Sequence, residues 1–186
     1  ATCDSLPTSI GLVSLMWANN ETGVIQDIPG LAAILRERGL WLHSDAVQAA
    51  GKIPLDFASS GLHILSLSSH KIYGPKGAGA LVADRALPLQ PLLHGGGQER
   101  GLRSGTENIA AIVGFGKAAE LARLELDQRS QHTLSLRQRL ETALRLLPGV
   151  VIFAEQAPRL PNTVQFSVTG VDGETLVMAL ESVVFP

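Results

Sequence analysis

The short return Gly74-Pro75-Lys76-Gly77 constrains the fold of this chain more than any other stretch. It joins an apolar run, Leu62 to Leu67, to a second one, Gly79 to Val82. Short apolar runs bounded by turn residues read as buried strands. A parallel crossover needs a dozen or more residues, so these two strands must pair antiparallel. Upstream the spacing is longer. Ile10 to Ala18 is continuous enough for a strand, and Asn19 to Gly23 makes a polar turn. Ile28, Leu31, Ala32 and Leu35 recur at helical spacing before a stop at Gly39. Leu40 to His43 is a short strand with Asp45 just beyond its end. Ala46 to Ala50 reads as a helical turn closed by Gly51, and Asp56 to Gly61 as a connection. Strands alternating with helices give an α/β fold with a largely parallel sheet.

From Leu87 to Gly105 the chain is rich in Gly and Pro and has no periodicity. A loop of that length is usually functional or interfacial. A long helical region runs from about Asn108 to Leu147, small-residue rich at first, then charged and amphipathic, and ends at Pro148-Gly149. Val150 to Phe153 and Thr163 to Val168 read as strands, and Gly173 to Leu180 opens another helix. The composition shift near residue 123 divides the chain into two domains, 1–123 and 124–186.

The chain is 45% hydrophobic with a formal net charge of -2 over 186 residues, an ordinary globular balance. That charge gives no reason to expect nucleic acid or an anionic membrane as partner. No run of about 18 apolar residues occurs that would span a membrane. Cys3 is the only cysteine, which excludes an intrachain disulfide and a cysteine-only metal site. This fits a reducing cytoplasm. The start carries no signal-peptide pattern and no initiator methionine, and the end stops inside an apolar run. Both ends look cut, so the chain is expected to be a fragment of something longer.

The polar residues gather at expected strand ends: Asn20; Asp45 with Gln48; Ser68 with His70 and Lys71. In an open parallel sheet the carboxyl ends of strands share one edge, where such groups converge. A lone Asp after a strand is more often a turn cap, and a lone His beside a Lys is more often structural. Their joint occurrence points elsewhere. A lysine whose pKa is shifted by its neighbours attacks a carbonyl to form a Schiff base. Sites for pyridoxal phosphate pair such a lysine with an acidic partner for the pyridinium nitrogen. Lys71 and Asp45 supply that pair, Gln48 a donor to the ring hydroxyl, and Ser68 with His70 a hold on the phosphate.

The ordered blocks Ala18-Asn19-Asn20-Glu21-Thr22-Gly23, His43-Ser44-Asp45-Ala46-Val47-Gln48 and Ser68-Ser69-His70-Lys71-Ile72-Tyr73-Gly74-Pro75-Lys76-Gly77 carry a resemblance. It continues through His94 to Gly101, Arg103-Ser104-Gly105-Thr106-Glu107-Asn108 and Leu160-Pro161-Asn162-Thr163. The sequence resembles the cysteine desulfurases of the NifS/IscS type, within the class V aminotransferase family of fold-type I enzymes, from about Ser14 to Leu180. The resemblance implies most of a large cofactor domain with a mostly parallel sheet, and the start of a smaller α+β C-terminal domain. It implies Lys71 as the Schiff-base lysine and carrier of the substrate α-proton, with Asp45, Gln48, Ser68 and His70 around pyridoxal phosphate. Asn20 would orient the substrate carboxylate. Thr106 would reach the phosphate of the other subunit of a homodimer. Glu99, Arg100 and Arg103 are assigned only to interface or site support.

The implied parent activity converts L-cysteine to L-alanine and passes the sulfur through an enzyme persulfide to an iron–sulfur scaffold or other acceptor protein. Two expected parts fall upstream of residue 1: a ring-stacking imidazole and a Gly/Thr phosphate turn. Two more fall downstream: the nucleophilic cysteine and the main carboxylate-binding arginine. Cys3 does not match that cysteine, so the 186 residues alone are expected to be inactive. Two rivals remain: another enzyme of the same fold, such as a class V aminotransferase, and a non-catalytic scaffold. A Ser-x-x-Cys-type loop after Pro186 would favour the desulfurase.

Overall fold

The computed structural model describes residues 10–184. Cys3 lies outside them. A mixed sheet in the order β1-β2-β3-β4 forms from β1 (Leu12–Met16), β2 (Trp41–Asp45), β3 (Ile64–Ser68) and β4 (Gly79–Ala83). The first three strands are parallel, and β4 runs antiparallel to β3 with Leu67 opposite Ala80. The short return therefore has the expected consequence. Asp45 is the last residue of β2 rather than a residue beyond it, because its backbone still pairs across both neighbours.

One face of the sheet is the core. Leu42 and Leu65 pack there against α1 (Ile28–Glu37), whose Ile28, Ala32 and Leu35 are buried. The Asp27 side chain accepts from the Gly30 amide and caps that helix. Ala46 and Ala49, both fully buried, pin the turn after β2 into the same cluster. That turn is a run of hydrogen-bonded turns, with the Ala49 and Ala50 amides bonded to the Ala46 carbonyl. A one-turn helix, α2 (Phe57–Ser60), occupies the expected connection, capped by Asp56.

The long helical region is two helices, α3 (Ile109–Leu124) and α4 (Leu126–Leu144), parted at Glu125. Neither glycine nor proline marks the break. Contacts to the first half of the chain do: the Ser130 hydroxyl donates to the Lys52 carbonyl, and the Arg129 guanidinium lies over the Tyr73 ring. The small residues of α3 permit close approach to the segment after β3. A methyl on Gly74 would lie 2.3 Å from Ser69 Oγ and 3.0 Å from Ala118 Cβ, so only glycine fits.

The later strands are shorter than expected, β5 (Val150–Ile152) and β6 (Phe166–Val168), and pair antiparallel apart from the main sheet. α5 spans Gly173–Val184. The chain between α4 and β6 returns to the first half. Leu160 is fully buried in the main core, and its amide donates to the Gly23 carbonyl. Gly23, at φ +75°, faces Thr163 so closely that an added Cβ would sit 2.8 Å away. A buried ion cluster holds this return in place: Glu141 of α4 pairs with Arg159 at 2.8 Å and lies 3.6 Å from both Arg137 and Arg145. Among the described residues no helix is long and apolar enough to cross a membrane.

Candidate active site

The carboxyl ends of β1, β2 and β3 share one edge of the sheet, with Met16, Asp45 and Ser66 in one row of the register. The Trp17 amide donates to the Asp45 carbonyl, and the Ala46 amide to that of Ser66. Below this row, on the face opposite the core, His43 bonds Ser14 through Nδ1 (2.7 Å) and Ser66 through Nε2 (3.1 Å). This ladder ties three strands together, from Ser14 and His43 one pleat before Met16 and Asp45 up to Ser66 in their row.

Asp45 is exposed. Its Oδ1 accepts from the Val47 amide at 2.9 Å, and among the described residues Oδ2 has no hydrogen bond. The carboxylate is thus a turn cap on one oxygen and free on the other. Gln48, half-buried on the turn above the core, accepts through Oε1 from Lys52 Nζ at 2.8 Å. Ser68 ends β3, and its hydroxyl bonds His70 Nδ1 at 2.9 Å. Lys71 stands on a single 3₁₀ turn, Ser69–Ile72, closed by Tyr73 at φ 68°. Ile72 anchors that turn against Ala118 and Ala122 of α3. The lysine is therefore exposed on a segment whose backbone is held from behind.

Lys71 lines a cleft of about 350 Å³ together with Lys52, Tyr73, Arg129, His132 and Asn162. Burial and the neighbouring Lys71 charge hold the Lys52 ammonium below the usual lysine value. Lys52, Arg129 and His132 were not singled out by the sequence, and Asn162 stood only inside a motif. The four-residue spacing of Gln48 and Lys52 was the available signal for the first of them.

Two expected site residues are not drawn in. Asn20 is exposed, and its Nδ2 donates to Glu21 Oε1. Its neighbour Asn19 instead organises the turn, its Oδ1 accepting from the Glu21 and Thr22 amides. Thr106 is exposed in the segment before α3 and bonds none of the strand-end groups. The loop that precedes it closes on itself, with the Ser104 hydroxyl donating to the Gly96 carbonyl. Glu99 and Arg100 both sit at positive φ, and Leu92, Leu93 and Leu102 face solvent.

A carboxylate, an amide donor, a hydroxyl–imidazole pair and an amine thus stand along one sheet edge. The residue types of this set suit a flat heterocycle that carries a basic nitrogen, a hydroxyl and a phosphate; of the set, Lys71 alone lines the cleft. Among the described residues no group of three or more His, Cys, Asp or Glu side chains could hold a metal ion.

The sequence profile of the aminotransferase class-V family matches residues 3–183. A cysteine desulfurase of Enterobacter agglomerans is 44% identical over 95% of this chain and 44% of its own length. The cysteine desulfurase IscS of Neisseria meningitidis is 45% identical over 91% of this chain and 43% of its own. The crystal structure of a NifS-like protein from Rickettsia africae superposes with a TM-score of 0.92 at 36% identity, over 96% of this chain and 50% of that one. The chain spans less than half the length of the curated relatives it matches.

Proposed function

We infer the function of a chain that belongs to the aminotransferase class-V family: the whole protein is a cysteine desulfurase that depends on pyridoxal phosphate. It converts L-cysteine and an acceptor thiol to L-alanine and a persulfide, with no net redox change. The observation that carries this reading is the free Asp45 oxygen and the Lys71 amine on one strand-end edge, in a chain 44–45% identical to named desulfurases.

Pyridoxal phosphate, when bound, supplies an electron-withdrawing ring that stabilises charge at the amino-acid α-carbon. The chain's own groups do the rest. The free Oδ2 of Asp45 keeps a proton on the ring nitrogen through a charge-assisted bond. The Gln48 amide donates to the ring hydroxyl oxygen. The Ser68 hydroxyl and His70 bind the phosphate. Lys71 Nζ would hold the cofactor through its aldehyde carbon and would move the substrate α-proton as general base, from a 3₁₀ turn packed on α3. Asn20 orients the substrate carboxylate. Thr106 donates to the phosphate of a second copy, and the exposed leucines of the loop before it form part of that homodimer contact. The sulfur-accepting thiol is none of these groups. Residues 1–123 belong to the large domain and 124–186 to the start of a smaller one. The persulfide feeds an iron–sulfur scaffold or other acceptor in the cytoplasm.

The test is product analysis. The whole protein, supplied with pyridoxal phosphate, L-cysteine and reductant, should release alanine and sulfide in equal amounts. Amino-group transfer to a keto acid without sulfide would replace this reading with that of an aminotransferase.

A further inference from the structure

Lys52 is half-buried, yet among the described residues no carboxylate pairs with it. Burial, and after it the charge of a second cation, Lys71, depress its pKa. A cation removed from water without a counter-ion is costly and is rarely kept without a use. Its position is also over-determined. The Lys52 and Ile53 amides both bond to the Ala49 carbonyl. The Lys52 carbonyl accepts from Ser130 of α4 at 2.6 Å. Two fully buried alanines, Ala46 and Ala49, fix the turn beneath. Among the described residues the ammonium makes one side-chain hydrogen bond, to Gln48 Oε1 at 2.8 Å.

That bond decides which way the Gln48 amide faces. A glutamine side chain has an accepting end and a donating end, and its two orientations are nearly equal in shape. Lys52 can only donate, so it takes the oxygen and turns the NH₂ group away from itself. With a donating residue absent at 52, the amide is free to flip and present its oxygen instead. An oxygen facing the cofactor's ring hydroxyl oxygen, which carries negative charge, would repel it. Lys52 also polarises the amide, which strengthens the outward N–H as a donor.

We propose that Lys52 is a positioning residue for the cofactor: by holding Gln48 Oε1 it fixes the Gln48 amide as a hydrogen-bond donor to the ring hydroxyl oxygen. Lys52 itself touches neither substrate nor cofactor. This inference rests on the cofactor reading above.

The test uses the whole protein loaded with pyridoxal phosphate. The readout is the ratio of the long- to the short-wavelength absorption band of the bound cofactor, which reports the hydrogen bond at the ring hydroxyl. Cofactor affinity is measured alongside by fluorescence. Lys52→Met keeps the stem and removes the donor. It should shift the band ratio in the same direction as Gln48→Ala and weaken cofactor binding about fivefold, the scale of one net hydrogen bond. Lys52→Arg, which still donates, should restore both. The double variant Lys52→Met/Gln48→Ala should be no worse than Gln48→Ala alone, because the two act in one chain. A band ratio unchanged in Lys52→Met overturns the inference, as does a double variant whose effects add. Lys52→Ala, read in the same way, decides the matter if the methionine variant does not fold. An unmodified protein that binds no pyridoxal phosphate overturns the cofactor reading and this inference with it. A protein that binds it normally while the Lys52 variants change nothing overturns the inference alone.

Discussion

Glu141 and Lys52 are both charged groups taken out of water, and the protein treats them in opposite ways. Glu141, on α4, is 4% exposed and lies among three arginines, with Arg159 at 2.8 Å. Arg137 of the same cluster donates to the Leu160 carbonyl at 2.6 Å, so the charges also clamp the chain that returns to the core. Lys52, at the strand-end edge, has an amide for partner and Lys71 for neighbour. A buried charge with its counter-ions in place is neutralised and holds structure. A half-buried cation with an amide for partner orients that amide instead. The contrast separates a structural clamp from a prepared site, although burial depresses a pKa at each, that of Arg137 in the first and of Lys52 in the second.

Substitutions should divide along that line. The largest effect is expected for Lys71→Ala. Loss of a positioned general base lowers turnover by about 10²–10⁴-fold. Stability should move by no more than about 0.5 kcal/mol, because the side chain is exposed. Steady-state alanine production and urea unfolding check the two halves. Glu141→Gln should do the reverse. It leaves buried guanidinium groups facing one another and costs about 3–5 kcal/mol, while turnover per folded molecule is kept. Trp17, buried in the core, gives the fluorescence signal for that unfolding curve. Equal losses of stability in both variants would erase the contrast.

Asp45→Asn comes next. The amide oxygen still accepts from the Val47 amide, so the cap survives. The charge that holds the ring proton does not, and turnover should fall on the order of 10²-fold, as when one preorganised electrostatic group is removed. Cofactor content by absorbance should stay near normal. Near-normal turnover would reduce Asp45 to a turn cap. The smallest effect concerns Lys52 without cofactor. Its folded-state pKa is depressed below the usual 10.5. The unfolded chain therefore binds more protons between those two values, and stability rises with pH through that window. Below the window the charged form carries its full penalty. At neutral pH Lys52→Met should stabilise the cofactor-free protein by about 0.5–1 kcal/mol, the usual size of a gain at a functional site. It should also flatten the alkaline rise. A cofactor-free protein destabilised by Lys52→Met would class this lysine with Glu141.

Much of this division could be read from the chain, and particular residues show where that stops. The short return at Gly74 to Gly77 forced β4 antiparallel, since steric limits on crossovers act locally. The strand-end placement of Asp45, Ser68 and Lys71 was legible because the carboxyl ends of parallel strands must share an edge. The break at Glu125 was not, because no residue there disfavours helix and distant contacts at Lys52 and Tyr73 mark it. Lys52 was hidden for a related reason: its missing counter-ion is a fact of three dimensions. The paired Asn19 and Asn20 looked alike in sequence, yet only one is spent on the turn.

The central claim is that Lys71, held on its packed 3₁₀ turn, is the lysine that engages pyridoxal phosphate. Borohydride reduction of the loaded whole protein, followed by peptide mapping, tests it most directly. The account predicts a pyridoxyl group on the peptide containing Lys71 and none on Lys52 or Lys76. A label on either of those two, with Lys71 unmodified, would contradict it.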